Sequence, residues 1–214
     1  QAVVLGDNGT MTLAADGSLA SIASSDYTSG ATDVIELTSG TNTVIGSVGA
    51  DMITAGGGAN VVLGDDGEAT FNDGRLELIR STNSDEGADD KITLDDGTNT
   101  VVAGDGQDTV TIGTGTNIVL GDEGSLQVNS DGTTTIRTIN ASAGDKDTIE
   151  IGEGYNVAIG GAARDTITVT GTATDSQGIV LGDNGTLTLA VDGSLASIAS
   201  SDYTSGAADL IELT

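Results

Sequence analysis

VVAGDGQDTVTIGTGTNIVLGDEG, residues 101–124, has a spacing that decides the fold. Asp108 is followed nine residues later by Asn117, and each has a valine two places further on. A three-residue strand centred on each valine would point it inward and its neighbours outward. The glycines between can adopt the positive φ that a tight turn requires. We therefore predict a flattened coil of two nonapeptides, and stacked coils whose strands pair in parallel about 4.8 Å apart.

The nine-residue count continues along the whole chain. Taking Asp or Asn as its sixth position, the register runs through Asp33, Asn42, Asp51, Asn60, then Asp90, Asn99, Asp108, Asn117, then Asp147, Asn156, Asp165, and again at Asp209. Two places after these residues stand Ile35, Val44, Ile53, Val62, Ile92, Val101, Val110, Val119, Ile149, Ala158, Ile167 and Ile211. We expect these apolar side chains to form the core.

Longer repeats divide the chain into blocks. VLGD recurs at Val4, Val62, Val119 and Val180, which predicts one continuous array with blocks at about 3–60, 61–117, 118–178 and 179–214, the last partial. The segment Val3–Thr38 returns as a near copy at Ile179–Thr214. Since both ends fall inside a repeat, we expect a segment of a longer array that contacts neighbouring repeats or copies of itself end to end.

An insertion interrupts the count once per block. After GDNG, GDDG or GDEG the chain has alternating apolar residues on either side of an Asp-Gly pair, which is typical of a β-hairpin. We predict hairpins at about 6–27, 64–84, 121–141 and 182–203. They form either a second sheet beside the coils, with Leu13, Phe71, Val128 and Leu189 as its apolar seam, or independent loops; the sheet is favoured because it covers apolar faces.

The composition restricts the function. The 214 residues include 33 acidic and 6 basic side chains, no His and no Cys, and the net charge is −27. This charge repels nucleic acid and indicates bound cations. The lack of any long apolar run argues against membrane insertion. Without His or Cys, and with carboxylates that recur with the repeat, the sequence predicts no catalytic site.

The nonapeptides resemble the RTX family of hemolysin-type repeats, whose pattern is G-G-x-G-x-D-x-U-x. The best matches are Ala103–Thr111, AGDGQDTVT, and Ala55–Leu63, AGGGANVVL. The resemblance implies an all-β fold, a right-handed parallel β-roll. It also implies Ca²⁺ held by the sixth-position Asp and turn carbonyls, and type I secretion to the exterior or the bacterial surface. The alternation of Asp with Asn departs from the family pattern.

That alternation predicts two different edges. One edge collects the Asp residues, and we expect Ca²⁺ at Asp33, Asp51, Asp90, Asp108, Asp147, Asp165 and Asp209. The Asn edge is expected to form a hydrogen-bonded amide ladder, with Ca²⁺ there as the less favoured reading. The exit motif supplies either further calcium ligands or only turns; its acidic residues are Asp7, Asp65, Asp122 and Asp183, and Asp105 is a further candidate.

Three functions fit these features. The first is a non-enzymatic, calcium-stabilised rod or fibre segment of a large bacterial surface or adhesive protein. The second is an ice-binding or other ligand-binding face, suggested by the outward pairs Thr41/Thr43, Thr98/Thr100, Thr109/Thr111 and Thr166/Thr168. The third is the secretion or folding region of an RTX toxin or hydrolase. The near-identical long repeats favour the first.

Overall fold

A computed structural model describes residues 1–25, 28–83, 87–142, 144–171, 176–201 and 207–214. These residues form 22 strands in three sheets, and every regular element among them is a β-strand. No part of the chain within those ranges makes a helix with the length and apolar character needed to cross a membrane. The all-β prediction is confirmed.

Two of the sheets are parallel and make the roll. Sheet I has the order β1 (Ala2–Leu5), β5 (Gly40–Ile45), β7 (Gly58–Leu63), β11 (Gly97–Val102), β13 (Gly115–Leu120), β17 (Gly154–Gly161), β19 (Gln177–Asp183). Sheet II has the order β4 (Val34–Leu37), β6 (Met52–Ala55), β10 (Lys91–Leu94), β12 (Thr109–Ile112), β16 (Thr148–Ile151), β18 (Thr166–Val169), β22 (Leu210–Leu213). Each coil is one strand of sheet I followed by one of sheet II.

The nine-residue count sets the strand register. Asn99 pairs with Asn117 and Val101 with Val119 in sheet I, and Ile92 pairs with Val110 in sheet II. The strands are longer than the three residues predicted: four in sheet II and mostly six in sheet I. A four-residue strand turns two side chains inward, so that Leu94 joins Ile92 in the core.

The core between the two parallel sheets follows the predicted apolar positions. Of these positions, Val44, Ile53, Val62 and Ile92 are fully buried, as are their equivalents in the later coils. At the two outermost strands of sheet II, Ile35 on β4 is 7% exposed and Ile211 on β22 is 43% exposed.

Two kinds of connection alternate where the chain leaves sheet I. Three coils, which we call turn coils, pass directly to sheet II: β5/β6, β11/β12 and β17/β18. The four others, which we call hairpin coils, first insert an antiparallel hairpin. The hairpins are β2 (Gly9–Leu13) with β3 (Leu19–Ser24), β8 (Gly67–Asn72) with β9 (Arg75–Ser81), β14 (Gly124–Val128) with β15 (Thr134–Thr138), and β20 (Gly185–Leu189) with β21 (Leu195–Ser200). They lie within the ranges predicted for insertions, whose ends at Tyr27, Ser84 and Tyr203 fall outside the described residues.

The hairpins pair with one another into an eight-stranded sheet, as the favoured reading predicted. This hairpin sheet covers the outer face of sheet I and creates a second core, in which Ile22, Ile79 and Ile136 pack with Ile45, Leu63 and their equivalents. Thr43 and Thr100 are buried, so two of the predicted outward threonine pairs are not surface pairs. The pairs at Thr109/Thr111 and Thr166/Thr168 lie on the outer face of sheet II.

The predicted seam of the hairpin sheet is wrong in two of its four residues. Leu13 and Val128 are 57% and 40% exposed, whereas Leu189 is buried and Phe71 is partly buried against the second core. The buried positions lie two residues earlier, at Leu126 and Leu187. These positions are closer to the roll, whereas the seam residues lie towards the hairpin tips, where less of the roll covers them.

The hairpin sheet and the roll have the same spacing. Each hairpin adds two strands, and one hairpin coil plus one turn coil adds two coils; both steps are about 9.6 Å at 4.8 Å per strand. The second strand of a hairpin therefore lies over the following turn coil: β9 contacts β11, and β15 contacts β17. This match explains why a hairpin occurs in every second coil.

Candidate metal centre

The predicted aspartates form one continuous column along an edge of the roll, which we call the Asp column. Each residue precedes a strand of sheet II, and the parallel register stacks them in the order Asp33, Asp51, Asp90, Asp108, Asp147, Asp165, Asp209. The hairpins do not break the column, because the chain returns to the same edge after each insertion. The five middle members are at most 2% exposed.

In every member after Asp33, one carboxylate oxygen is used within the column. Oδ1 of Asp51 accepts the backbone N–H of Asp33 at 2.7 Å, and Oδ1 of Asp90 accepts that of Asp51 at 2.7 Å. The same bond recurs at 2.7–3.0 Å up to Asp209, whose Oδ1 accepts the N–H of Asp165. These bonds fix the orientation of the carboxylates from Asp51 to Asp209.

The other oxygen, Oδ2, is buried and has no hydrogen-bond partner in six members of the column: Asp33, Asp51, Asp90, Asp108, Asp147 and Asp165. It faces a row of glycines at the ends of the sheet I strands. A Cβ added at Gly46 would collide with Asp51 Oδ2 and with the carbonyl oxygen of Gly64 in the next coil. Gly64, Gly121 and Gly160 show the same arrangement. Each carboxylate oxygen thus lies near a backbone carbonyl of the adjacent coil, beside a residue without a side chain.

This donor set suits a hard cation. Ca²⁺ prefers carboxylate and carbonyl oxygens and accepts irregular geometry, and an unpartnered buried oxygen is costly without an ion. Among the described residues, no group of three or more acidic side chains is placed to hold one metal ion together, so each site rests on aspartate and main-chain oxygens. The position beside Asp108 is an exception, because Ala103 stands there instead of glycine.

Without a cation, the electrostatics of the Asp column are unfavourable. Burial, with the charge of Asp51 adding to it, raises the pKa of Asp90 to about 8. Burial and the charge of Asp108 raise the pKa of Asp147 to about 9. The pKa values of Asp51 and Asp165 rise to about 7, and those of Asp108 and Asp209 rise as well, in each case chiefly through burial. A cation would compensate both the burial and the mutual repulsion.

The acidic residues of the exit motif contact backbone N–H groups. Asp65 Oδ2 accepts the N–H of Asp105 at 2.7 Å, and its Oδ1 accepts that of Ala88 at 3.3 Å. Asp122 Oδ2 accepts the N–H of Ala162, and Asp183 Oδ1 accepts that of Ala207 at 3.1 Å. Asp7 follows β1 as Asp65 follows β7, and Asp105 follows β11; neither Asp7 nor Asp105 belongs to the Asp column. These contacts favour the turn-forming role over calcium binding at Asp65, whose two oxygens both accept N–H groups.

A buried acidic residue that the sequence did not single out follows Asp65. Asp66 is 3% exposed, and its Oδ2 has no hydrogen-bond partner. Burial raises its pKa, against hydrogen bonds from Ser24 and Asn83. The signal available in the sequence was the GDDG motif, whose third residue is Asp66. Because this third residue varies among the copies of the motif, the sequence indicated only a turn there.

The opposite edge is a complete amide ladder. Asn42 Nδ2 donates to Asn60 Oδ1 at 2.8 Å, and the pattern continues through Asn99 and Asn117 to Asn156 at 2.8–2.9 Å. The same nitrogens donate to carbonyls four residues earlier, as from Asn99 to Asp95 O at 3.2 Å. The amide oxygens therefore receive hydrogen bonds without any ion, as the favoured reading predicted.

Comparison with known proteins agrees with this geometry. Residues 37–70, 85–110 and 93–125 match the model of the RTX calcium-binding nonapeptide repeat (4 copies). No curated protein and no solved structure matches the chain. The matched segments include Asp51, Asp90 and Asp108, and Asp147 and Asp165 continue the same column beyond them. RTX nonapeptide repeats bind Ca²⁺. Within residues 37–125, the chain thus contains segments that match the RTX calcium-binding nonapeptide repeat.

Proposed function

We propose that Ca²⁺ bound along the Asp column turns this repeat array into a stiff structural module, a rod or fibre segment of a large bacterial surface or adhesive protein. The observation that supports this most is the row of buried, unpartnered Oδ2 atoms, all but that of Asp108 beside a glycine and a main-chain carbonyl. The residues that would hold the ions are Asp33, Asp51, Asp90, Asp108, Asp147, Asp165 and Asp209.

The stiffness follows from where the oxygens come from. Near Asp51 Oδ2, the carbonyl of Gly64 belongs to the next coil, and near Asp90 Oδ2 the carbonyl of Ala103 does. An ion held by such a pair joins neighbouring coils, so that a filled column links the array along its axis. Calcium would also offset part of the net charge of −27, which otherwise opposes a compact state.

The proposed location is outside the cell. RTX repeats occur in proteins exported by type I secretion, and extracellular calcium modules work at ion concentrations of about 10⁻⁴–10⁻³ M. We propose neighbouring repeats, or copies of the array end to end, as the principal partners. The module has a structural role without catalysis, since its acidic residues serve the repeat and the exit-motif turns.

Chelation tests the calcium proposal. The thermal unfolding midpoint, followed by circular dichroism, should be higher in millimolar Ca²⁺ than in chelator, because an ion that binds only the folded state stabilises it by mass action. Titration calorimetry should show binding with a stoichiometry above one ion per chain. Identical melting in Ca²⁺ and in chelator would rule the proposal out. For the rod, small-angle scattering should show an elongated particle whose length increases by about 9.6 Å for each added unit of one hairpin coil and one turn coil.

A further inference from the structure

One column of side chains on the outer face of sheet I contains a tyrosine. The column consists of the residues that precede the asparagines of the amide ladder, and the strand register places them side by side in the order Thr41, Ala59, Thr98, Thr116 and Tyr155. The Tyr155 hydroxyl donates to the carbonyl oxygen of Gly193, in the turn between β20 and β21, at 2.6 Å. The ring is partly buried against the second core. An aromatic ring therefore bridges sheet I and a hairpin turn in this part of the array.

The corresponding place earlier in the array holds a threonine. Thr41 lies on β5 as Tyr155 lies on β17, in a turn coil and directly before an asparagine of the ladder. Gly74, in the turn between β8 and β9, corresponds to Gly193, and both have a positive φ, of 74° and 85°. Thr41 and Gly74 both line a cleft of about 360 Å³ between sheet I and the hairpin sheet. A cleft thus stands open at the place that an aromatic ring takes up in the later block.

Inner strands of two sheets form the walls of this cleft. Strands β5, β7 and β11 of sheet I and strands β3, β8 and β9 of the hairpin sheet contribute to them. Each of these strands has a neighbour on both sides in its sheet. The walls therefore belong to the interior of the array, and filling the cleft adds no coil to it.

The chemistry of the cleft favours an uncharged, partly apolar ligand. Leu19, Phe71 and Leu76 supply apolar surface, and Thr41 and Thr98 supply hydroxyl groups. The lining residues, all of which the structure describes, include no charged side chain, although the chain has a net charge of −27. The volume lies in the range of about 300–1,000 Å³ that is typical of ligand sites. A neutral aromatic ring with one hydroxyl group satisfies these conditions.

We propose that this cleft binds a tyrosine side chain of a partner protein, in the way that Tyr155 is held in the later block. The ring packs against Phe71, in the kind of contact that pairs of aromatic side chains favour. The hydroxyl donates to the main-chain carbonyl at the Gly74 turn, as that of Tyr155 does at the Gly193 turn. The inference rests on this comparison of two turn coils and does not depend on the calcium proposal.

The first test is a titration of the full chain with N-acetyl-tyrosinamide in saturating Ca²⁺, followed by amide chemical shifts in NMR spectra. We expect saturable shifts at Thr41, Ala59, Phe71 and Leu76, with a Kd on the order of 1 mM for so small a probe. N-acetyl-phenylalaninamide lacks the hydroxyl group and should bind about fivefold more weakly, because one hydrogen bond is lost. The absence of saturable shifts at these residues, or equal affinities for the two probes, would overturn the inference.

Substitutions that fill the cleft from within provide the second test. Thr41→Tyr supplies the ring that Tyr155 supplies in the later block, so it should abolish binding of N-acetyl-tyrosinamide. Ala59→Leu narrows the same cleft from β7 and should weaken binding, which keeps the test decisive if one variant folds poorly. Thr109→Tyr is the matched control, because Thr109 is exposed on the outer face of sheet II, and it should bind the probe as the unsubstituted chain does. Unchanged binding by both cleft variants, or an equal loss in the Thr109→Tyr control, would contradict the site.

Discussion

Asp90→Asn is the substitution that best separates a metal ligand from a turn-forming residue. Asp90 is 2% exposed, its Oδ1 accepts the N–H of Asp51, and its Oδ2 faces Gly64 and the Ala103 carbonyl. Asparagine keeps the shape and the Oδ1 acceptor, but it replaces the oxygen at Oδ2 by an NH₂ group and removes the charge. The structure therefore predicts opposite effects with and without calcium.

In millimolar Ca²⁺ the substitution should destabilise the protein. Losing one ion that is present at about a hundred times its Kd removes about 2.7 kcal/mol of stabilisation. For a chain of this size, that corresponds to a fall in Tm of roughly 5–10 °C. Titration calorimetry should show fewer bound ions or a weaker affinity.

In chelator the same substitution should stabilise the protein. The pKa of Asp90 is about 8 in the fold against 3.8 in the unfolded chain, so at pH 7.5 its burial opposes folding by up to about 5 kcal/mol. Asparagine avoids this cost, and Tm should rise. A Tm that falls equally in chelator and in Ca²⁺ would refute the assignment of Asp90 as a ligand.

Asn99→Ala is the matched control, in the next coil and on the opposite edge. Asn99 donates to Asn117 Oδ1 at 2.8 Å and to Asp95 O at 3.2 Å, and accepts from Asn60 at 2.8 Å. Removing these bonds should cost about 3 kcal/mol, and the loss should be the same in Ca²⁺ and in chelator. A calcium-dependent loss here would mean that the edges are divided wrongly.

Three further predictions follow from the described contacts. In chelator, stability should be greatest below about pH 4 and fall as the pH rises through 7–9, because the folded pKa values of Asp51, Asp90 and Asp147 lie above the unfolded value. In Ca²⁺ the ionised carboxylates bind the metal, so the stabilisation by calcium should increase with pH. Measuring Tm from pH 5 to 9 in both buffers checks this prediction. Asp65→Asn should raise Tm by a similar amount with and without Ca²⁺, because burial raises the pKa of Asp65 to about 9 and asparagine removes this cost at the loss of one hydrogen bond. The ion stoichiometry should stay unchanged in calorimetry, since both oxygens of Asp65 already accept N–H groups. Ile136→Ala, at a fully buried position between the hairpin sheet and the roll, should lower the free energy of unfolding by about 2–5 kcal/mol in chemical denaturation. Leu13→Ala, at a residue 57% exposed, should lower it far less. Equal losses would contradict the second core.

The periodic features of this fold were predictable from the sequence because the nine-residue repeat sets both the strand register and the stacking of the coils. Counting in steps of nine residues predicts that Val101 is in the core and that Asn99 lies on the Asn edge. It also predicts the Asp column and the amide ladder. The Asp-Gly pairs located the hairpins for a similar reason, since a short turn fixes which residues face each other.

The parts that could not be predicted depend on contacts between blocks. Leu13 and Leu189 are the same residue type in near-identical segments, yet one is 57% exposed and the other 6%. Their burial is decided by the neighbouring strands, β15 beside β20 in one case and solvent beside β2 in the other. The unpartnered Oδ2 atoms could not be predicted either, because the carbonyl oxygens near Gly46 and Gly64 are brought there only when the coils stack.

The two edges of the roll differ in their dependence on calcium. The amide ladder closes one long side of the molecule by hydrogen bonds that need no ion. The other side is closed by carboxylates that repel one another when calcium is removed. Depletion of calcium should therefore loosen the Asp edge first, where the backbone still joins sheet I to sheet II in every coil, while the hydrogen bonds of the amide ladder hold the Asn edge. When calcium returns, the strands of both sheets are still in the correct register, so that restoring the Asp edge requires no new pairing of strands.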